Sequence, residues 1–257
     1  MSLESNRMKR NAPPGGPRSA ATDFASNPSL TALCLCLALS AGIRLISAVQ
    51  GALDSGTELL LRSPAFFDFL FVAAAVYLIS LLWRVRSDVR GDNAQKASVA
   101  CMILFAVMTV TVLYIGIFYF SVYSALGSMS EADLAESGMT AEDRQGMWGM
   151  LPVLIFYLAV SAAEAASFLL FRGVLKRVAE LFRGQITGHG IFMACCIVSA
   201  FTAGCCVCEL ILQATAGGSV LSFAVSAIPG LAETGIYACM AVLCQGTQNT
   251  LRGMTRS

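Results

Sequence analysis

Six apolar runs, Leu30–Leu53, Phe66–Trp83, Ala97–Leu126, Leu151–Phe171, Ile191–Ala214 and Val220–Cys244, take up most of this chain. Each is long enough for a helix to cross about 30 Å of hydrocarbon, which takes about 20 residues. Backbone groups in lipid must find their partners internally, so the runs are expected as helices. Charged residues make up 13% of the sequence and gather between the runs, whereas a soluble domain carries about 25%. The fold class that follows is all-α: a polytopic transmembrane bundle of six helices. The third run exceeds a bilayer crossing and is expected to tilt or project. Small residues such as Ala159-Val160-Ser161-Ala162-Ala163 and Ser199-Ala200-Phe201-Thr202-Ala203-Gly204 favour close helix approach.

Lysine and arginine placement gives direction. Arg7, Lys9, Arg10 and Arg18 precede the first run. Arg84, Arg86, Arg90 and Lys96 join the second to the third, and Arg172, Lys176, Arg177 and Arg183 follow the fourth. Arg252 and Arg256 lie in the tail, while the opposite side has only Arg62 and Arg144. The bias alternates at every crossing, so both ends are expected in the cytosol. Residues 1–29, centred on Pro13-Pro14-Gly15-Gly16-Pro17, read as a disordered cytosolic segment. Residues 30–245 read as the membrane domain and 246–257 as a short cytosolic tail. The net charge of +1 gives no basic excess for nucleic acid.

The loop 128–150 is acidic, with Glu131, Asp133, Glu136, Glu142 and Asp143. Ser130-x-x-Asp133 and Thr140-x-x-Asp143 resemble helix N-cap signals, so one or two short surface helices are expected there. The end of the fourth run, Val174, Leu175, Val178, Leu181 and Phe182 between Lys176, Arg177 and Arg183, is expected either as an amphipathic stretch at anionic headgroups or as snorkelling at a helix end.

Ionisable residues inside apolar runs are costly and mark functional candidates. Here they are Arg44, Glu164, Glu209 and Glu233, with Asp68 near a helix end. Arg44 needs a carboxylate partner, which Glu209 or Glu233 can supply. Pro229-Gly230 breaks the sixth run near Glu233 and is expected to kink it. All ten cysteines fall inside apolar runs, where small packing residues are the plain expectation. Cys205 and Cys208 share a helix face but lack further ligands, so no metal site is expected. One histidine, His189, cannot ligate paired haems, and neither a phosphate loop nor a zinc-protease motif occurs. The expectation is a non-enzymatic protein without cofactors.

Four stretches resemble the tobamovirus multiplication protein family, the THH/TOM domain. Ser40-Ala41-Gly42-Ile43-Arg44 is similar to its second helix. Arg62-Ser63-Pro64-Ala65-Phe66-Phe67, with Tyr77 and Leu81-Leu82-Trp83, is similar to its third. Ser167-Phe168-Leu169-Leu170-Phe171-Arg172-Gly173-Val174-Leu175 is similar to the end of its fifth, and Ala194-Cys195-Cys196 through Cys206-Val207-Cys208-Glu209 to its sixth. The resemblance covers roughly residues 38–245. The family has seven helices, so the six runs correspond to its second to seventh. The resemblance implies a receptor-like scaffold in a vacuolar, lysosomal or other endomembrane. Such a scaffold binds cytosolic partners, small GTPases of the Arf-like or Rag type among them. Arg84, Arg86, Arg90, Lys96, Arg172, Lys176, Arg177 and Arg183 are the expected contacts with those partners or with anionic lipid. Two other readings of the residues stay open: a small-solute or ion transporter using the intramembrane carboxylates, and an accessory subunit of a larger membrane complex. The plasma membrane and an organelle inner membrane stay open as locations.

Overall fold

A computed structural model describes residues 16–55, 64–130, 140–185, 188–215 and 220–256. Its helices are α1 (Pro17–Ser26), α2 (Pro28–Ser55), α3 (Pro64–Val85), α4 (Asp92–Ser128), α5 (Ala141–Phe182), α6 (Gly190–Thr215) and α7 (Val220–Arg256). Among the described residues, α2 to α7 are the six helices long and apolar enough to cross a membrane. The protein is therefore a multi-pass, all-α membrane protein.

The six helices form a closed ring. Each packs on the next in sequence, and α7 returns to pack on α2. Most of the buried apolar residues form one cluster, to which all seven helices contribute. On the outer faces Leu35, Ile46, Ile117, Phe120, Phe201 and Leu231 are exposed, as lipid-facing positions require. α5 has 42 residues, which at about 1.5 Å per residue is roughly twice the thickness of the hydrocarbon. It projects at both ends.

Three expectations change at the ends of the bundle. Residues 1–29 were expected to be disordered, yet 17–26 form α1, with Pro17 in its first turn. Ala20, Ala21, Phe24 and Ala25 are buried in this helix. The cause is tertiary: α1 packs against α5 and α7, with Arg18 close to Gly184 and Asn27 close to Gly246. The segment 1–15 lies outside the described residues. The expected tail, 246–257, instead continues α7 to Arg256, burying Thr247, Gln248 and Leu251. Finally, Val174, Leu175, Val178, Leu181 and Phe182 do not face headgroups. They are buried in the protein core, while Lys176, Arg177 and Arg183 stay exposed. A helix that projects beyond the bilayer keeps its apolar face buried when another helix, here α1, covers it.

These contacts place α1, the end of α5 and the end of α7 at one end of the ring. Arg183 adds the start of α4, reaching Gln95 at 2.6 Å and Asp92 at 3.8 Å. This is the basic end. The turn into α4 is held there by Asp88, whose carboxylate accepts from the backbone N–H groups of Arg90, Gly91, Asn93 and Ala94. At the acidic end, Thr140 and Asp143 form the expected capping box. It opens α5 itself rather than a separate surface helix. The other expected cap pairs Ser130 with Asp133, which lies outside the described residues. Tyr123 donates to the Met147 carbonyl at 2.8 Å and stacks edge-on with Trp148, fastening α4 to α5.

Candidate functional site

Arg44 lies on the inward face of α2, in register with buried Leu37, Ser40, Ala41 and Ala48. Spacings of three and four put these residues on one helix side. The guanidinium reaches two other helices. Its Nη1 donates to Asp68 Oδ1 on α3 at 3.3 Å, and its Nη2 to Glu233 Oε1 on α7 at 3.0 Å. Its Cζ lies over Phe71, 4.4 Å from the ring centre. Phe71 follows Asp68 by three residues and so shares its face. Nε of Arg44 is buried without a partner among the described residues. The three side chains keep 31%, 26% and 22% of their surface, so the group is partly enclosed rather than sealed.

The sequence pointed to Glu209 or Glu233 as the partner of Arg44. The structure selects Glu233 and adds Asp68. Asp68 is a lone acid within Phe66-Phe67-Asp68-Phe69, a signal as strong as that of the other intramembrane acids. Its place in the second turn of α3 made it look peripheral, but the ring brings that turn to Arg44.

Glu164 is the most enclosed of the acids, at 7% exposure. It accepts from the Cys206 thiol on α6 at 3.7 Å. It forms no ion pair among the described residues, but it lies within electrostatic reach of Arg44, Glu209 and Glu233. Glu209, half-buried near the end of α6, forms no ion pair among the described residues either. Five helices thus bring four carboxyl groups and one guanidinium to the ring interior, nearer the acidic end. Such groups are expensive in hydrocarbon unless paired. Arg44 can offset part of the negative charge only, so the remaining acids need protons or another cation.

Glu164 also begins a row of buried polar groups. On α6, Cys195, Ser199, Thr202, Cys206 and Glu209 follow one another at spacings of four, three, four and three. That is a single helix face. Sequence reasoning singled out parts of this stretch for small size and for cysteine, and missed the stripe. Reading it at helical period would have found it. Thr202 and Ser167 of α5 share a buried hydrogen bond of 3.1 Å. Pro229 does not break α7, which runs unbroken from Val220 to Arg256. Gly230 instead marks a close approach to α6, since a Cβ there would lie 2.5 Å from Leu210 Cδ2.

The cationic candidates collect at the basic end. Arg84, Arg86, Arg90, Lys96, Lys176, Arg177 and Arg183 are exposed, and Arg172 is half-buried. Arg86 lies over the Trp83 ring at 5.5 Å, and Arg177 pairs with Glu180 at 2.8 Å. His189 is exposed at the start of α6. The cysteines are free thiols, and no group of three or more His, Cys, Asp or Glu among the described residues is arranged to hold a metal ion. No protein-family model matches the chain, and neither does a curated protein or a solved structure.

Proposed function

We propose that this protein is a cation-coupled carrier of small solutes, loading protons or a small monovalent cation on the carboxylates inside its helix ring. One observation carries the reading: Asp68 and Glu233 pair with a single Arg44, Glu164 lies within electrostatic reach of it, and Glu209 adds a fourth acid beside Glu164 and Glu233. A purely structural ion pair needs one acid, and each further ionised acid in this setting costs several kcal/mol. A group that alternates between charged and neutral gives a carrier its two states. Arg44 then holds Asp68 and Glu233 together, and Glu164 is the group that changes charge.

The purified protein in liposomes containing a pH-sensitive dye tests this. Acidifying the outside should drive proton uptake above that of empty liposomes, with sodium and potassium gradients run as separate arms. Glu164→Gln should lower the uptake that the wild type shows, in whichever arm it occurs. Equal ion uptake by wild type, Glu164→Gln and empty liposomes in all arms rejects the carrier.

A second reading, the receptor-like scaffold, draws on the exposed cations of the basic end and on the THH/TOM resemblance. Endomembrane location and small-GTPase partners belong to it. Its partners should survive Glu164→Gln and be lost on reversing Arg84, Arg86, Lys176 and Arg177 to Glu, as read by proximity labelling.

A further inference from the structure

The seam between α5 and α6 holds hydroxyl and thiol groups where a lipid-embedded bundle needs only apolar contacts. Ser167, Ser199, Thr202 and Cys195 are fully buried, and Cys206 nearly so. Hydrogen counting shows what the central pair can do. Ser167 contacts the Ala163 carbonyl at 3.0 Å and Thr202 at 3.1 Å, while Thr202 contacts the Val198 carbonyl at 2.9 Å. Two hydroxyl hydrogens face three contacts. Either Ser167 donates to Thr202 and Thr202 to its carbonyl, or Thr202 donates to Ser167 and Ser167 to its carbonyl. The two arrangements are chemically equivalent and differ in the direction of the bond. A pair that can point either way passes a proton on by accepting on one side and releasing on the other.

The pair is continued in both directions. Towards the acidic end, Cys206 bonds Glu164 at 3.7 Å, and Glu164 precedes Ser167 by three residues on the same helix. Towards the basic end, Ser199 contacts Cys195 at 3.8 Å, and the Cys244 thiol of α7 lies against Cys195. Neighbours three or four apart on a helix face sit about 5–6 Å apart at Cβ, a gap that one bridging water or a hydroxyl rotation spans. One turn beyond Cys244, Gln248 is 6% exposed and its Nε2 has no partner among the described residues. A buried amide N–H without an acceptor is costly, and water reaching it from the basic end would satisfy it.

We propose that Ser167, Thr202, Ser199 and Cys195 form a proton-conducting row that links Glu164 to the basic end of the bundle. A proton enters beside Gln248 and Cys244, each group in the row accepts one and releases one, and Glu164 goes from carboxylate to carboxylic acid. No electrons move and no bond other than O–H or S–H changes. The groups facing Glu164 are Arg44 on α2, Cys206 and Glu209 on α6, and Glu233 and Tyr237 on α7, while Asp68 on α3 acts on it through Arg44. They set whether the proton stays, and the row sets how fast it comes. This inference rests on the carrier reading in that it requires Glu164 to take up a proton.

Time-resolved infrared spectroscopy on the reconstituted protein tests it, following the carbonyl stretch of protonated Glu164, assigned by its loss in Glu164→Gln. After a pH drop on the basic-end side, the band should rise roughly tenfold more slowly in Ser167→Ala/Thr202→Val than in wild type, a barrier change of about 1.4 kcal/mol. Its final amplitude should be kept, and Thr202→Ser should restore the rate. A drop on the acidic-end side should give equal rates in all variants. If the double variant does not reconstitute, Ser167→Ala alone tests the same bond by the same slowing. Equal rates on the basic side, with the band present, overturn the row and leave the carrier reading standing. A band that is absent in wild type overturns the row and the proton-loading form of the carrier, leaving the sodium and potassium arms to decide the carrier itself.

Discussion

Arg44 carries the most interactions of any charged side chain in the ring interior, joining α2 to α3 and α7 through one planar group. The forked guanidinium suits this, because its two Nη atoms diverge, and a lysine ammonium cannot reproduce the fork. Arg44→Met should strand Asp68 and Glu233 and lower stability by about 2 kcal/mol, the scale of lost charge-assisted hydrogen bonds. Thermal unfolding in detergent measures this, and a double-mutant cycle with Glu233→Gln isolates the pair. Strictly additive effects in that cycle would show that the 3.0 Å contact contributes nothing. The sequence marked Arg44 and Glu233 because a charge inside an apolar run is conspicuous. It did not mark Ser167 or Thr202, because hydroxyls are common in membrane helices and only a cross-helix neighbour separates a linked pair from two that merely bond their own carbonyls.

The connections between helices are as specific as the helices. Gly91 has φ +82°, and a Cβ there would lie 2.6 Å from the Ala179 carbonyl oxygen and 2.8 Å from Ala179 Cα. The clash is with backbone, which cannot rotate away. Gly91→Ala should therefore cost about 3 kcal/mol, combining left-handed strain with overpacking of the α4 start against α5, and a fall in the midpoint of thermal unfolding would show it. A midpoint equal to wild type would mean that this turn moves freely off α5. At the opposite end, the Thr140 hydroxyl and backbone N–H both donate to the Asp143 carboxylate, and these hydrogen bonds hold the Asp143 carboxyl below the ordinary carboxylate range. A depressed folded value means the cap contributes stability above the unfolded value and loses it as pH falls through the folded one. Protection of the first-turn amides of α5, relative to their intrinsic exchange rate at each pH, should fall at acid pH and in Thr140→Ala, while α6 stays protected. Equal protection across that range would remove the cap from the account. The capping signal was readable from Thr140-x-x-Asp143, whereas the role of Gly91 was not, since a glycine after Arg90 reads as any loop glycine until α5 is packed beside it.

For the whole molecule, even helix number and alternating charge require Ser87 and Gln185 on one side and Gly146 on the other. Single cysteines at these positions, in a background lacking reactive native thiols, should label from opposite sides of sealed vesicles. Labelling of all three from one side would overturn the topology. The sequence by itself determined the six helices long enough to cross, because hydrocarbon demands apolar length, and its charge bias sets the direction that the labelling tests. It also located the costly acids and the arginine, because each breaks an apolar run. What only tertiary structure decided was which of these meet. Ring closure of α7 on α2 brings Glu233 to Arg44, the packing of α3 adds Asp68, and the register of α5 on α6 lines hydroxyls and thiols below Glu164. The folding of α1 and the burial of the α5 and α7 ends were decided there too. Short segments of small residues carry too little apolar surface to order alone and become helical only against a neighbour that covers them.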